Sequence, residues 1–328
     1  MCQLTLLPYL FYVDLKLLRL VDNTLSISQF NWSKLGSKGE LHTVDNEEGI
    51  KARNSMHNRL VADAFIPAGG RPNTIDMSNY KNFLLPDGSP SSRLIVEGAN
   101  LFITGDARQA LYDEAGVAII KDSSANKAGV ITSSYEICSA MLLSEEDFAS
   151  NKPQIVSEVL EKLRGLARAE AELLFSEYES HPDALPMISE RISNTINTAT
   201  DAISKELDGI TADEVDDLLP LFRDHLPDTI SDLAFHEVHS KVPRQYIRNA
   251  IASCLASKLV YKEGCAYIQS LNQGNLASLA IEYISKEREM EVLKKALEGC
   301  NDMADAERLA ITQILEAGGT RTALSLNK

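Results

Sequence analysis

The pattern of apolar and polar positions changes character near residue 150. Before it, short apolar runs alternate with Gly, Pro, Asn and Asp punctuation. Leu60–Pro67, Arg93–Glu97 and Gly116–Lys121 read as buried, parallel-type strands, each closed by a turn signal. Between the last two, Asp106–Ala115 carries Leu111 and flanking alanines on one face, with Thr104-Gly105-Asp106 supplying its cap and Gly116 its stop. Strand, helix and strand in this order predict a βαβ unit with a parallel sheet.

Beyond residue 150 the period is helical. Pro153–Phe175 places Val156, Val159, Leu160, Leu163, Leu166 and Leu173 on one stripe. Ile188, Ile192, Ile196, Ala199, Ile203 and Leu207 recur at intervals of three or four. Thr211–Glu214 forms a capping box for a helix that Pro220 perturbs or ends. Pro243 opens another, with Tyr246, Ile247, Ile251, Cys254, Leu255 and Leu259 facing inward and Gly264 closing it. Met303–Ala317 is the last, capped by Gly318-Gly319. No fixed repeat links these helices, so a solenoid is not supported. The fold class is α/β over residues 1–150, followed by an all-α region over residues 151–328.

Composition narrows the functions open to such a chain. Its 328 residues carry 47 acidic against 32 basic side chains, a formal net charge of -15. That field repels polyanions, which argues against nucleic acid as a partner and against a polybasic membrane surface. The cysteines Cys2, Cys138, Cys254, Cys265 and Cys300 are scattered and form no C-x-x-C pair. This is neither a disulfide framework nor a zinc spacing, and it fits a reducing compartment. The apolar start, Met1–Leu20, is too short for a membrane span and is interrupted by Pro8 and Asp14. The expectation is a soluble, cytoplasmic protein, with a mitochondrial one as the alternative.

The chemistry should lie at the carboxyl ends of the strands, where open α/β sheets bind ligands. The first strand runs into Pro67-Ala-Gly-Gly-Arg-Pro72, whose Gly69 and Gly70 would let a ligand approach the backbone. A Gly-Gly turn is also a common structural device. The second runs into Glu97-Gly-Ala-Asn100, where Asn100 offers both donors and an acceptor, or simply caps the following turn. The third runs into Lys121–Glu136, rich in small and hydroxyl residues before a helix expected to begin near Thr132. Amides at that N-terminus, with the Ser133 hydroxyl, would suit a carboxylate. Ser133-Ser-Tyr-Glu136 equally reads as a capping box.

Taken together these loops carry a resemblance. Ile66-Pro-Ala-Gly-Gly-Arg-Pro72, Ile95-Val-Glu-Gly-Ala-Asn-Leu-Phe102 and Lys121-Asp-Ser-Ser-Ala-Asn-Lys-Ala-Gly-Val130, in this order, resemble the cofactor domain of glutamate dehydrogenases. They are most similar to the large NAD-specific class of lower eukaryotes. Val242–Gly264 resembles the helical C-terminal region of the same family. The resemblance implies a partial Rossmann-like domain and oxidative deamination of L-glutamate by NAD, giving 2-oxoglutarate and ammonium. It implies that Gly69 and Gly70 lie against the cofactor and that Asn100 and Asn126 contact its nicotinamide half. It also implies that Ser133 binds the side-chain carboxylate of glutamate. Ala68 stands where the family commonly has Cys, and Ala128 where it has the first Gly of a Gly-Gly-Val turn. Arg71 and Lys127 are further cations beside these loops, read as solvated charges.

The family's catalytic lysine and aspartate lie on an upstream domain, and the chain contains no G-x-G-x-x-G. The expectation is a C-terminal portion of a longer enzyme, inactive alone and homo-oligomeric when whole. The competing reading is a non-catalytic helical scaffold or oligomerisation segment with a vestigial cofactor domain. His236-Glu-Val-His239 is not H-E-x-x-H and lacks a third ligand, so no metal is assigned to it.

Overall fold

A computed structural model describes residues 55–322, apart from 59, 70, 181, 182, 301 and 302. Met1–Leu20, Cys2 and Gly70 therefore lie outside the described residues. The chain forms two compact units. One holds the described residues up to Val130 together with Leu174–Glu190, and the other holds Ile131–Leu173 and the residues from Arg191 onward. Compactness thus divides the chain differently from composition, because position 150 falls inside one continuous helix, Glu145–Ser180.

In the first unit the expected apolar runs pair as β1 (Ala62–Phe65), β2 (Ser92–Val96) and β3 (Ala118–Ile120). They form a parallel sheet in the order β1-β2-β3, with Ala64 opposite Leu94 and Ile95 opposite Ile119. Parallel strands need both faces covered, and Ile95 and Ile119 are buried with Phe83, Phe102, Ile103 and Leu111. Helix α1 (Gly105–Ala115) connects β2 to β3 and buries Ala107 and Leu111 on the predicted face. It stops at Gly116, whose φ of 62° suits a residue without a Cβ and whose N–H reaches the Tyr112 carbonyl at 2.8 Å.

After β3 come a single turn, α2 (Asp122–Ala125), and then α3 (Ala128–Leu142). The second helix starts four residues before the expected Thr132. Neither Ala128 nor Gly129 has a positive φ, so alanine meets no backbone obstacle where the resembling family has glycine. The segment Ala128-Gly-Val-Ile131 simply continues as helix.

The second unit contains most of the predicted helices. In α4 (Glu145–Ser180), Val159 and Leu173 of the expected stripe are buried and Leu163 and Leu166 half-buried, whereas Val156 and Leu160 are exposed and Ile155 is buried instead. Pro153 is tolerated inside this helix on its exposed side. In α5 (Leu185–Asp208), Ile192, Ala199, Ile203 and Leu207 are buried as the spacing requires. The Thr211–Glu214 box caps α6 (Ala212–Asp217), and Pro220 opens α7 (Leu219–His225) rather than ending a longer helix. Next come α8 (Asp228–Ala234), α9 (Val238–Lys241) and α10 (Arg244–Glu263), the last burying Ile247, Ile251, Leu255 and Leu259. Gly264, at φ 79°, closes it. Then follow α11 (Cys265–Ser270), α12 (Leu276–Glu298) and α13 (Asp305–Ile314). Gly318 and Gly319 do not cap α13. They lie in a π-helical turn, Leu315–Gly319, beyond which helix continues. Among the described residues no helix is long and apolar enough to cross a membrane.

Against the core of this unit lies a half-buried imidazole. His225 packs beside Tyr135, with ring centroids 5.2 Å apart, and its Nδ1 lies 3.6 Å from the Cys254 thiol. Burial, helped by the charge of Lys162, holds its pKa down to about 4. The unfolded chain, with imidazole near 6.5, binds the proton more readily. Stability from the neutral ring is therefore complete above about pH 6.5 and declines as pH falls toward 4, by about 3 kcal/mol for this group. Urea unfolding between pH 7 and 4.5 should show that decline, flattened in His225→Phe. Equal slopes in the two proteins would remove His225 from the effect.

Candidate functional site

Within the first unit, Pro67–Gly69, Glu97–Asn100 and the first part of the third loop, Lys121–Val130, follow the carboxyl ends of the three strands. The β1 and β2 loops are in backbone contact, since Ala99 N donates to the Pro67 carbonyl at 2.7 Å. A Cβ on Gly98 would stand 3.1 Å from that carbonyl, a contact that the loop could accept only by shifting a few tenths of an ångström. A Cβ on Gly69 would meet nothing within 4 Å, and its glycine is not demanded by internal packing. The β2 and β3 loops are joined by Glu97 N donating to Ile120 O at 3.0 Å.

Asn100 and Asn126 are brought together across those loops. Asn126 Nδ2 donates to Asn100 Oδ1 at 2.5 Å and lies 3.5 Å from the Gly98 carbonyl. With those bonds made, the pair retains Asn100 Nδ2 as a donor and Asn126 Oδ1 as an acceptor. A donor and an acceptor are the groups that a primary carboxamide complements. Asn126 terminates α2, its N–H reaching the Asp122 carbonyl at 2.9 Å. The α2 turn is itself anchored, because Ser124 Oγ lies 2.5 Å from the buried Ser189 hydroxyl and Lys121 pairs with Glu190 at 2.6 Å.

Beneath the loops lies a buried charge cluster with no counterpart among the residues singled out from sequence. Glu97, fully buried, accepts from Arg108 Nε at 2.7 Å, Arg108 Nη2 at 3.2 Å and the Ile103 N–H at 3.0 Å. Burial raises its pKa, while Arg108 and the Ile103 N–H draw it back. Arg108, 6% exposed, also stands 3.6 Å from Asp122. Asp122 accepts the Leu101 N–H at 2.9 Å through Oδ2 and the Ser123 N–H at 2.9 Å through Oδ1. The signal for this cluster was available in part. Glu97 ends an apolar strand, and Arg108 shares the stripe of Leu111, three positions on.

Ser133 is not at a helix N-terminus. It lies in the second turn of α3, past the amides that a helix leaves without intrahelical partners, so only its hydroxyl could serve an anion. The residue is exposed and belongs to the second unit. Its Ser133–Glu136 segment is helix interior rather than a capping box, because Ala128–Thr132 is already helical. Arg71 is exposed. His236 and His239 do not converge on a common centre. His239 faces Asp216 at 3.3 Å, His236 faces Glu237 at 3.7 Å, and both are exposed.

Comparison with known proteins gives this arrangement a context. Residues 14–176 match the family model described as Glutamate/Leucine/Phenylalanine/Valine dehydrogenase. The chain is 32% identical over 279 residues to the NAD-specific glutamate dehydrogenase of Neurospora crassa, an alignment covering 76% of this chain and 26% of that protein. It is 34% identical over 232 residues to glutamate dehydrogenase 2 of Dictyostelium discoideum, covering 66% and 22%. It is 32% identical over 282 residues to the NAD-specific glutamate dehydrogenase of Saccharomyces cerevisiae, covering 76% and 26%. The chain thus spans about a quarter of the length of the curated relatives it matches. No solved structure gives a significant match.

Proposed function

Because the chain belongs to the glutamate/leucine/phenylalanine/valine dehydrogenase family, we propose that it is part of an NAD-dependent glutamate dehydrogenase and contributes the nicotinamide side of the cofactor site. The observation that carries this reading is the joined pair Asn100–Asn126 at the strand-end edge. Residues 1–150 supply the cofactor portion and residues 151–328 a helical region that serves subunit contact in a homo-oligomer. The substrates are L-glutamate or 2-oxoglutarate with ammonium, and the compartment is the cytoplasm.

The described residues fit the nicotinamide half of the cofactor. Asn100, through its Nδ2 donor, and Asn126, through its Oδ1 acceptor, would hold its carboxamide. The Gly69 backbone would let the cofactor approach with no side chain in the way. When bound, NAD would supply the acceptor for a hydride from the glutamate Cα as the amine loses a proton, and hydrolysis of the resulting imine yields 2-oxoglutarate and ammonium. The chain's own contribution is orientation: a fixed carboxamide fixes which face of the ring meets the substrate. The Ser133 hydroxyl binds the substrate's side-chain carboxylate.

Reduction of NAD by the native protein tests this reading, with glutamate as substrate and with Asn126→Ala as the variant. Glutamate should support reduction and the variant should lose most of it. Reduction with leucine, phenylalanine or valine but not glutamate would reassign the substrate, and none with any of them would favour the scaffold reading.

A further inference from the structure

Among the described residues, two without the freedom of glycine adopt positive φ, Asn73 at 56° and Leu101 at 55°. They are hydrogen-bonded to each other, Asn73 N donating to Leu101 O at 2.7 Å. Asparagine visits this region readily, whereas a leucine there costs about 1–2 kcal/mol. Leu101 is also 58% exposed, so burial of its side chain does not hold it there. The restraint is instead on its backbone. Its carbonyl is bound by Asn73, and its N–H is bound by the buried carboxylate of Asp122.

Asp122 is in turn held in place. Arg108 stands 3.6 Å away and is itself fixed by two bonds to Glu97, and the Ser123 N–H takes the other Asp122 oxygen. One buried carboxylate therefore touches both sides of the amide pair. It binds the N–H of the residue following Asn100, and it opens the turn that ends at Asn126. Resting on the cofactor role given above to Asn100 and Asn126, we infer that Asp122 is a positioning residue that holds Leu101 left-handed and so sets the Asn100–Asn126 pair in place before the nicotinamide carboxamide arrives.

Preorganisation of this kind acts on cofactor affinity more than on folding, because an Asn pair free to wander must be ordered at the moment of binding. In the native protein, Asp122→Ala should raise the KM for NAD at least tenfold and speed hydrogen exchange of the Leu101 amide. Asp122→Asn, which keeps an oxygen for that N–H, should recover a large part of the loss. Adding Leu101→Gly to Asp122→Ala should also recover part of it, since glycine adopts this backbone without the strain. A role confined to folding would give no such rescue.

The inference is overturned if folded Asp122→Ala keeps the KM for NAD within twofold of the unsubstituted protein. Should Asp122→Ala fail to fold, Asp122→Asn and Leu101→Gly carry the test. A tenfold or larger rise in KM in Asp122→Asn with an unchanged Leu101 exchange rate would then overturn it. If the unsubstituted protein does not reduce NAD at all, the cofactor reading falls and this one with it.

Discussion

Glu97→Ala should destabilise the first unit by about 3–5 kcal/mol, the usual cost of leaving a buried charge without its partner. Arg108 would lose both carboxylate bonds while remaining 6% exposed, and the Ile103 N–H would lose its acceptor in a buried place. The remaining carboxylate, Asp122, is 3.6 Å from the guanidinium and already accepts two N–H groups, so it compensates only in part. Replacing both Glu97 and Arg108 by leucine should cost less than Glu97→Ala, because an apolar pair leaves no buried charge to solvate. Denaturant-dependent hydrogen exchange at the Ile95 and Ile119 amides reads these differences in the sheet itself. A Glu97→Ala cost below about 1 kcal/mol would show that the guanidinium finds water or another acceptor.

Asn126→Ala should lower kcat/KM for NAD by about 10–100-fold in glutamate-dependent reduction, equivalent to about 1.4–2.7 kcal/mol. Two contributions add to this. The variant removes the acceptor offered to the carboxamide, and it releases the Asn100 side chain from its bond at 2.5 Å. Each neutral hydrogen bond is worth about 1 kcal/mol net, with a further penalty where the carboxamide is left unpaired away from water. Asn126 caps a single turn and is not part of the apolar core, so the unfolding midpoint should move little beside the kinetic loss. A parallel fall in stability and activity would place Asn126 among structural residues instead.

Much of the fold was legible because its signals are local. Apolar runs flanked by turn residues gave β1, β2 and β3, and the spacing of Ile192, Ala199, Ile203 and Leu207 gave α5. The cap at Thr211 and the stops at Gly116 and Gly264 follow from side-chain chemistry within a few residues. What escaped depends on competition between neighbouring possibilities. The Ser/Thr cluster predicts a start for α3 near Thr132, yet the helix extends back through Val130 to Ala128 and Gly129 does not prevent it. On the stripe of α4, Val159 and Leu173 are buried as the spacing predicts, but Ile155 turns inward in place of Val156, because both are apolar and only packing chooses between them.

The candidate site shows the same division. Its loops could be placed from strand ends alone, and Asn100 and Asn126 from the resemblance, but their mutual bond joins residues 26 positions apart. The support under them was less visible still. Arg108 looks like one more charged residue on a short helix, and Asp122 like a residue opening a turn. Only the closure of the sheet brings Glu97, Arg108, Asp122 and Leu101 to one point, with the strain at Leu101 as its local trace.

The position of the nicotinamide carboxamide in a crystal of the native protein with NAD tests the central claim most directly. The expected result places its oxygen within hydrogen-bond distance of Asn100 Nδ2 and its nitrogen within that distance of Asn126 Oδ1, with Leu101 still left-handed. A carboxamide bound elsewhere, with Asn100 and Asn126 bonded only to each other, would contradict it.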